Sequence, residues 1–132
     1  MQAKVLIVED EFLVALQLED MLTEAGHSVV GIALDQAGVR RVCDPPQVAL
    51  VDLNLRDGRS GLAIASYLSD AYGTSIIYVT ANANEIEQPA HTTVGVVHKP
   101  FSQQAILNAV AFALDHSIDI SPSGMHSARA VG

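Results

Sequence analysis

Short apolar runs alternate with amphipathic segments along most of this chain. After each run, apolar residues recur every three or four positions, as Val14, Leu18 and Leu22 do after the first one. Such spacing predicts helices with one buried face. The runs are nearly continuous, as in parallel strands covered on both sides, and they lie at 3–8, 28–33, 48–55, 75–79 and 93–97. This alternation predicts an α/β fold with a doubly wound, five-stranded parallel sheet and helices on both faces.

Cap and stop residues mark the ends of the predicted helices. Gly26 and Gly73 follow the first and third helices, where a left-handed backbone is commonly needed. Asp35, Ser60 and Ser102 precede the second, third and last helices, and we expect their side chains to accept hydrogen bonds from free backbone N–H groups. The third helix is expected to pack inward through Ile64, Ala65, Leu68, Ala71 and Tyr72.

One domain accounts for the whole predicted sheet. Residues 81–90 include two asparagines and a proline near their end, so the helix there should be short and poorly specified. The second helix is expected to run to about Cys43. Beyond residue 116 the chain is rich in serine and has no sustained apolar period. We therefore predict a domain over 1–116 and a flexible C-terminal tail over 117–132.

Composition and charge narrow the possible functions. The 132 residues are 49% hydrophobic, which is enough for one core. A formal net charge of -8 repels nucleic acid backbones, so direct nucleic acid binding is not expected. The single cysteine, Cys43, allows no internal disulfide and is expected to be a small buried apolar residue. No signal peptide or membrane-spanning pattern is recognisable, so we expect a cytoplasmic protein without membrane contacts.

Polar residues with reactive side chains follow four of the predicted strands. Glu9 and Asp10 come after the first strand, Asp52 interrupts the third apolar run, Thr80 ends the fourth strand and Lys99 follows the fifth. In a doubly wound sheet the carboxyl ends of these strands share one edge. Carboxylates crowded at that edge repel one another and need a cation or a proton. The pattern therefore predicts an acidic site at this edge of the sheet.

Oxygen ligands of this kind suit Mg²⁺, which is commonly held by one or two carboxylates together with phosphate oxygens. A carboxylate is also a competent nucleophile toward phosphorus. In-line phosphoryl transfer needs a metal, a cation and hydrogen-bond donors around the transferred oxygens. We therefore predict that Asp52 accepts a phosphoryl group, that Glu9 and Asp10 hold Mg²⁺, and that Thr80 and Lys99 contact the phosphoryl oxygens.

Five short motifs occur in a fixed order over roughly residues 3–116. They are Val-Leu-Ile-Val-Glu-Asp-Glu at 5–11, Val-Asp-Leu-Asn-Leu at 51–55, Asp57-Gly58 with Gly61, Val-Thr-Ala at 79–81, and Lys99-Pro100-Phe101. Each motif alone is weak, but the five together are specific. With them the chain resembles the receiver domain of two-component response regulators.

The resemblance implies a flavodoxin/CheY-like sheet with strand order 2-1-3-4-5. It also implies that Asp52 is the phosphoacceptor. Asp10 would bind Mg²⁺ directly and Glu9 through water, with Asp52 and the backbone carbonyl of Asn54 as further ligands. Mn²⁺ would be able to substitute for Mg²⁺.

The resemblance further implies how phosphorylation is sensed. Thr80 and Lys99 would move toward the phosphoryl group, and the peptide bond before Pro100 is expected to be cis. Two positions depart from the family pattern. Val96 stands where many receivers have an aromatic residue, and Arg56 stands where proline is common. The segment between Thr80 and Val94 is also a few residues shorter than in the family, which curtails the fourth helix. These departures affect how phosphorylation is transmitted and leave the phosphorylation chemistry intact.

As a receiver, the chain would be a signalling protein that switches protein–protein contacts. The phosphoryl donor would be a sensor histidine kinase or a histidine phosphotransfer protein, and the downstream partner would be another protein. Its only chemistry would be self-phosphorylation from a donor and slow self-dephosphorylation, so it is not expected to be an enzyme. Between Ala105 and Leu114 only Asn108 is polar, so Leu107 and Phe112 are expected to face outward. The last helix and the fifth strand are therefore expected to form a partner or homodimer surface, unless the tail covers them.

Three other functions fit parts of the pattern. A Mg²⁺-dependent phosphatase would want a second acid two residues after the nucleophile, where this chain has Asn54. A flavodoxin-like electron carrier would need a phosphate loop rich in hydroxyl groups and glycine after the first strand, where this chain has acids. A phosphate-independent receiver used only for binding would not need the complete set of acids, threonine and lysine.

Overall fold

Five parallel strands form one twisted sheet at the centre of the protein. A computed structural model describes residues 2–116. The strands are β1 Lys4–Val8, β2 Ser28–Ala33, β3 Val48–Val51, β4 Ser75–Thr80 and β5 Thr93–His98. They pair in the order β2-β1-β3-β4-β5, and every pair is parallel. The predicted fold class and strand order are confirmed, although the third strand ends at Val51, before Asp52.

Three helices and one short turn connect the strands, and a fourth helix follows β5. The helices are α1 Phe12–Glu24, α2 Gln36–Arg40, α3 Gly61–Tyr72 and α4 Gln103–Asp115. Between β4 and β5 the chain forms only a 3₁₀ turn over Ala83–Glu85. The poorly specified helix predicted for 81–90 is thus reduced to a single turn. The loop is anchored at its end, where the Ala90 N–H donates to the Tyr78 hydroxyl at 3.1 Å.

The core lies in two layers, one on each face of the sheet. Alternate strand residues point to opposite faces, so Val5 and Ile7 join one layer while Leu6 and Val8 join the other. The first layer packs against α1 and α4 through Leu18, Leu22, Ile106 and Val110. The second layer packs against α3 through Ile64, Ala65 and Leu68. Helices on both faces were predicted, and both layers are present.

The predicted inner face of α3 is correct in its first turns and wrong in its last one. Ile64, Ala65 and Leu68 are buried, whereas Ala71 is exposed and Tyr72 is 44% exposed. α3 ends three residues before β4 begins, so its last turn lies beyond the amino end of the sheet. Tyr72 therefore has no strand to pack against.

The N-cap predictions hold for two of three helices. Asp35 accepts a hydrogen bond from the Gly38 N–H at 2.9 Å, and Ser102 accepts one from the Ala105 N–H at 3.1 Å. Ser60 makes no cap bond; its hydroxyl donates to the Asp57 carboxylate instead. The prediction for Ser60 is wrong because a neighbouring acid competes for its hydroxyl group.

Helix α2 is shorter than predicted, and this changes the environment of the cysteine. The helix ends at Arg40 instead of continuing to Cys43. Cys43 consequently lies in the connection to β3 and is exposed, so the predicted burial is wrong. Gly73 and Gly26 have φ angles of 67° and 93°, which confirms the predicted left-handed helix ends.

Two further sequence predictions concern the C-terminal tail and membrane-spanning helices. The tail over 117–132 lies outside the described residues, so the domain limit at 116 stays a prediction. Over 2–116, none of the helices has the length and apolar character needed to cross a bilayer.

Candidate functional site

The predicted site residues meet at the carboxyl edge of the sheet. Asp10, Asp52, Thr80 and Lys99 line one open cavity of about 360 Å³. Glu9 lies beneath it, 1% exposed, and contacts Lys99. Parallel strands bring these residues together because each side chain stands at, or just after, the carboxyl end of its strand.

Backbone hydrogen bonds at Asp52 and at the residue after it fix the position of Asp52. Its N–H donates to the Val8 carbonyl at 2.9 Å, which continues the pairing of β3 with β1. After it, the Gly61 N–H donates to the Leu53 carbonyl at 3.2 Å, so the start of α3 lies directly against this loop. The Asp52 side chain is held at the floor of the cavity, with the residue 8% exposed.

Lys99 connects the two deepest acids. Its Nζ donates to Glu9 Oε1 at 2.9 Å and to Asp52 Oδ2 at 3.2 Å. Its backbone N–H donates to the Thr80 carbonyl at 2.9 Å, which fixes the start of the loop. The Lys99–Pro100 peptide bond is cis, as predicted.

Burial and ion pairing act in opposite directions on the pKa values of Glu9 and Lys99. The pKa of Glu9 is raised above its usual 4.5, chiefly because burial disfavours the charged form, while the bonds from Lys99 and the Glu11 N–H oppose the shift. Burial lowers the pKa of Lys99, but the bonds and charges of Glu9 and Asp52 outweigh it and raise the pKa above its usual 10.5. Lys99 is therefore charged at neutral pH and offsets part of the acidic charge.

Three carboxylates form a set that could bind a metal ion. Glu9, Asp10 and Asp52 each offer one oxygen, and these oxygens lie within 4.8 Å of one another. All the donors are carboxylate oxygens, which suit a hard divalent cation. Across residues 2–116, no hydrogen bond to the Asp10 carboxylate is found, so its oxygens are available as ligands. The donor set therefore fits the predicted metal.

Thr80 and the backbone of Asn54 complete the cavity. Thr80 is 2% exposed, and its Oγ1 accepts a hydrogen bond from the Asn82 N–H at 3.1 Å. This leaves the hydroxyl hydrogen able to donate to a group in the cavity. The Asn54 N–H donates to Asp52 Oδ1 at 3.4 Å.

One contact at the cavity was not predicted. Glu85 Oε1 accepts from Asn54 Nδ2 at 3.3 Å and Oε2 accepts from Asn82 Nδ2 at 3.2 Å. Arg59 Nη2 lies 3.8 Å from Glu85 Oε1. The only indication of this contact in the sequence was the short segment after Thr80, because a shortened connection keeps its side chains near the end of the strand.

This arrangement of strands and side chains has counterparts among known proteins. The sequence model of the response regulator receiver domain family matches residues 5–111.

This chain belongs to the response regulator receiver domain family.

Curated relatives of this receiver are regulatory proteins. The phyllosphere-induced regulator PhyR of Methylorubrum extorquens is 30% identical over 122 residues, covering 86% of this chain and 44% of PhyR. The transcriptional regulatory protein PdtaR of Mycobacterium tuberculosis is 27% identical, covering 89% of this chain and 60% of PdtaR. The chain therefore spans about half the length of the curated relatives it matches.

Solved structures show the same fold over nearly all described residues. The solution structure of the receiver domain of PhyR from Erythrobacter litoralis has a TM-score of 0.79 at 27% identity, and covers 98% of this chain and 97% of that domain. The crystal structure of PhyR from Brucella abortus has a TM-score of 0.78 at 29% identity, and covers 87% of this chain and 49% of that protein. The receiver assignment thus rests on sequence and structure together.

Proposed function

We propose that this receiver is a phosphorylation-dependent signalling switch whose phosphoacceptor is Asp52. The observation that supports it best is the bridge from the Lys99 ammonium to Asp52 and Glu9, at 3.2 and 2.9 Å. That bridge holds Asp52 beside a fixed cation at the floor of an open cavity, where a donor can approach it. An ionised carboxylate beside a fixed cation is suited to attack phosphorus.

The proposed step transfers one phosphoryl group. An oxygen of the Asp52 carboxylate forms a bond to phosphorus while the bond from phosphorus to the donor breaks. The donor atom, a histidine nitrogen or an acyl oxygen, keeps the bonding electron pair. Lys99 balances charge on the transferred oxygens, and the Thr80 hydroxyl donates a hydrogen bond to one of them.

A divalent cation would share this site. Asp10, Asp52 and the Asn54 carbonyl would hold Mg²⁺ directly, and Glu9 would hold it through water; Mn²⁺ would serve as a substitute. Charge that builds on the phosphoryl oxygens would be balanced by the cation when it is bound. The oxygen-only donor set supports this assignment, since such ligands favour Mg²⁺ and Mn²⁺ over softer metals.

The donor is proposed to be a sensor histidine kinase or a histidine phosphotransfer protein in the cytoplasm. It must bring phosphorus to Asp52, so its contact surface must surround the cavity. Phe12 and Leu13, at the start of α1, are 58% and 81% exposed and come directly after the acids that follow β1. Large exposed apolar side chains beside a reactive cavity are suited to contact a protein donor.

The downstream surface is proposed to lie on α4 and β5. Phe112 is 47% exposed and stacks on His116 at 3.9 Å, and Val96 on β5 is 38% exposed. Leu107, expected to face outward, is half-buried and packs against the core instead. A downstream protein or a second copy of this chain would bind here, and the mass in solution with and without phosphorylation distinguishes the two.

The phosphoacceptor is tested by intact mass after incubation with acetyl phosphate and Mg²⁺. The parent protein should gain one phosphoryl group, and Asp52→Asn should gain none. Asp57→Asn is a matched control, because Asp57 is an exposed acid in the next turn that bonds to Ser60 and Gln36. A mass gain that survives Asp52→Asn places the phosphoacceptor elsewhere.

Lys99→Ala separates modification from signalling. This variant should still be phosphorylated slowly, because the Asp52 nucleophile is retained. It should lose any phosphorylation-dependent change in partner binding or oligomeric state, because the link between the site and β5 is removed. Unchanged switching in this variant contradicts the role proposed for Lys99.

A further inference from the structure

Glu85 links the two loops that flank the cavity. It ends the 3₁₀ turn after β4, and its side chain is 31% exposed. One carboxylate oxygen accepts from Asn54 and the other from Asn82, so both oxygens are engaged. The loop after β3 and the loop after β4 are thereby joined above the phosphoacceptor.

Both asparagines belong to the reactive cavity. Asn54 and Asn82 line it together with Asp52 and Thr80. Each asparagine stands two residues after one of those groups in the chain. Both asparagines are exposed to solvent, and each amide nitrogen donates a hydrogen bond to Glu85.

We propose that Glu85 is a positioning residue that prolongs the lifetime of phosphorylated Asp52. By holding the amides of Asn54 and Asn82, it keeps them from orienting water toward the phosphorus atom. The inference rests on the proposed function, because it concerns the loss of the phosphoryl group from Asp52. Glu85 acts through the two asparagines and does not touch the reacting atoms.

The step it controls is hydrolysis of an acyl phosphate. The water oxygen forms a bond to phosphorus while the bond between phosphorus and the Asp52 oxygen breaks. The carboxylate returns with the bonding electron pair, inorganic phosphate leaves, and one water proton passes to the phosphate or to solvent. Orientation of the attacking water lowers the barrier to such a step.

The test compares rates of phosphoryl loss after removal of acetyl phosphate. The full chain and the variants Glu85→Ala, Glu85→Gln and Glu87→Ala are phosphorylated with acetyl phosphate and Mg²⁺, and the fraction remaining is followed by intact mass. Glu87 is the matched control: an acid two residues further on, exposed and without an ion pair or hydrogen bond to the described side chains. Thermal unfolding of each variant shows that the fold is retained.

Glu85→Ala should lose the phosphoryl group about two- to tenfold faster than the parent, the effect of roughly one hydrogen bond on a barrier. Glu85→Gln keeps the shape and one acceptor, so its rate should lie between those of the parent and Glu85→Ala. Glu87→Ala should match the parent. The proposal is overturned if Glu85→Ala is no faster, or if Glu87→Ala is accelerated equally, because the effect is then one of net charge.

A second measurement needs no phosphorylation. In the unphosphorylated protein, the side-chain amide protons of Asn54 and Asn82 should exchange with solvent faster in Glu85→Ala than in the parent. Unchanged exchange contradicts the link itself. If the parent is never phosphorylated, the proposed function fails, whereas a phosphorylated parent whose lifetime ignores Glu85 contradicts only this inference.

Discussion

Gly61 determines how closely α3 can approach the phosphoacceptor loop. A Cβ atom at this position would lie 2.2 Å from the Asp52 carbonyl oxygen and 2.6 Å from the Leu53 Cα. Both contacts are with backbone atoms, which cannot move aside as a flexible side chain would. The glycine is therefore required by close approach, and its absence would displace the loop that carries Asp52.

Gly61→Ala is expected to destabilise the protein by about 1–3 kcal/mol, because the loop or the helix must shift to remove the overlap. Denaturant unfolding monitored by circular dichroism measures the loss. Gly95→Ala on β5 is the control, since a Cβ there meets no atom within 4 Å. Equal effects of the two substitutions would contradict the packing explanation.

At the amino end of the sheet, His27 makes the stability of the protein depend on pH. Its Nδ1 accepts a hydrogen bond from the Ala3 N–H at 3.0 Å, which requires an unprotonated nitrogen. Burial lowers the pKa of His27 below its usual 6.5. The unfolded chain then binds the proton more readily than the folded protein does. The stabilisation that neutral His27 provides is therefore complete above about pH 6.5 and is lost as the pH falls toward the pKa of His27 in the folded state.

The stability of the parent relative to His27→Asn should therefore fall between pH 7 and pH 5, because asparagine offers an acceptor that does not titrate in this range. Urea unfolding at each pH measures the difference. His98→Asn, which changes an exposed histidine outside this contact, is the control. A constant difference between parent and His27→Asn would exclude this source of pH dependence.

At the level of elements, the starts of α3 and α4 show that a helix cap and a neighbouring acid compete for one hydroxyl group. Ser102 begins the helix with an extended backbone and accepts the Ala105 N–H. Ser60 precedes α3 with a helical backbone, and its hydroxyl donates to Asp57. Both residues match the same sequence rule, but only the first has no nearby acid to bind.

Ser102→Ala should cost about 1 kcal/mol of stability, because one N–H at the start of α4 loses its acceptor. Ser102→Asp should restore most of the loss, since its carboxylate can accept the same bond and lies at the positive end of the helix. Thermal or urea unfolding distinguishes the two variants. A loss in Ser102→Asp as large as that in Ser102→Ala would show that the cap bond is not the cause.

For the whole molecule, Lys99 joins residues that are distant in the chain. Its Nζ contacts Glu9 and Asp52, which are 90 and 47 positions away. These bonds hold β5 against β1 and β3 at the carboxyl edge. Without the ammonium, two carboxylates at the floor of the cavity would face each other with no cation between them.

Lys99→Met should lower stability at neutral pH by about 1–3 kcal/mol in the presence of a chelator. Mg²⁺ should restore more stability in this variant than in the parent, because the cation would replace the lost charge. Lys4→Met is the control: its ion pair with Asp44 is half exposed, at 52% and 51%, and should matter little. Unfolding in chelator and in Mg²⁺ measures both effects.

The pH dependence of Lys99→Met follows from Glu9. The pKa of Glu9 is already raised by burial, and the variant removes the Lys99 bond that opposes the shift. A carboxyl group whose pKa is higher in the folded state than in the unfolded state contributes less to the stability of the protein as the pH rises through the folded-state pKa. The variant should therefore be less stable at pH 7.5 than at pH 5, relative to the parent, and the opposite trend would contradict this origin.

Much of the fold and of the candidate site was predictable from local pattern. β2 begins and ends where the pattern placed it, and Asp10, Asp52, Thr80 and Lys99 line one cavity as predicted. The errors share a cause. The last turn of α3, the hydroxyl of Ser60 and the exposure of Cys43 depend on what lies beside each residue in space, which local periodicity does not report.

The amino-acid sequence by itself determined the succession of strands and helices, because that depends on apolar spacing and on residues only a few positions apart. It also placed the reactive side chains at one edge, because parallel strands connected by helices must run in the same direction. The tertiary structure alone decided that Glu85 holds Asn54 and Asn82, and that no Cβ fits at position 61. Such contacts join residues whose distance in space is set by the packing of the whole sheet.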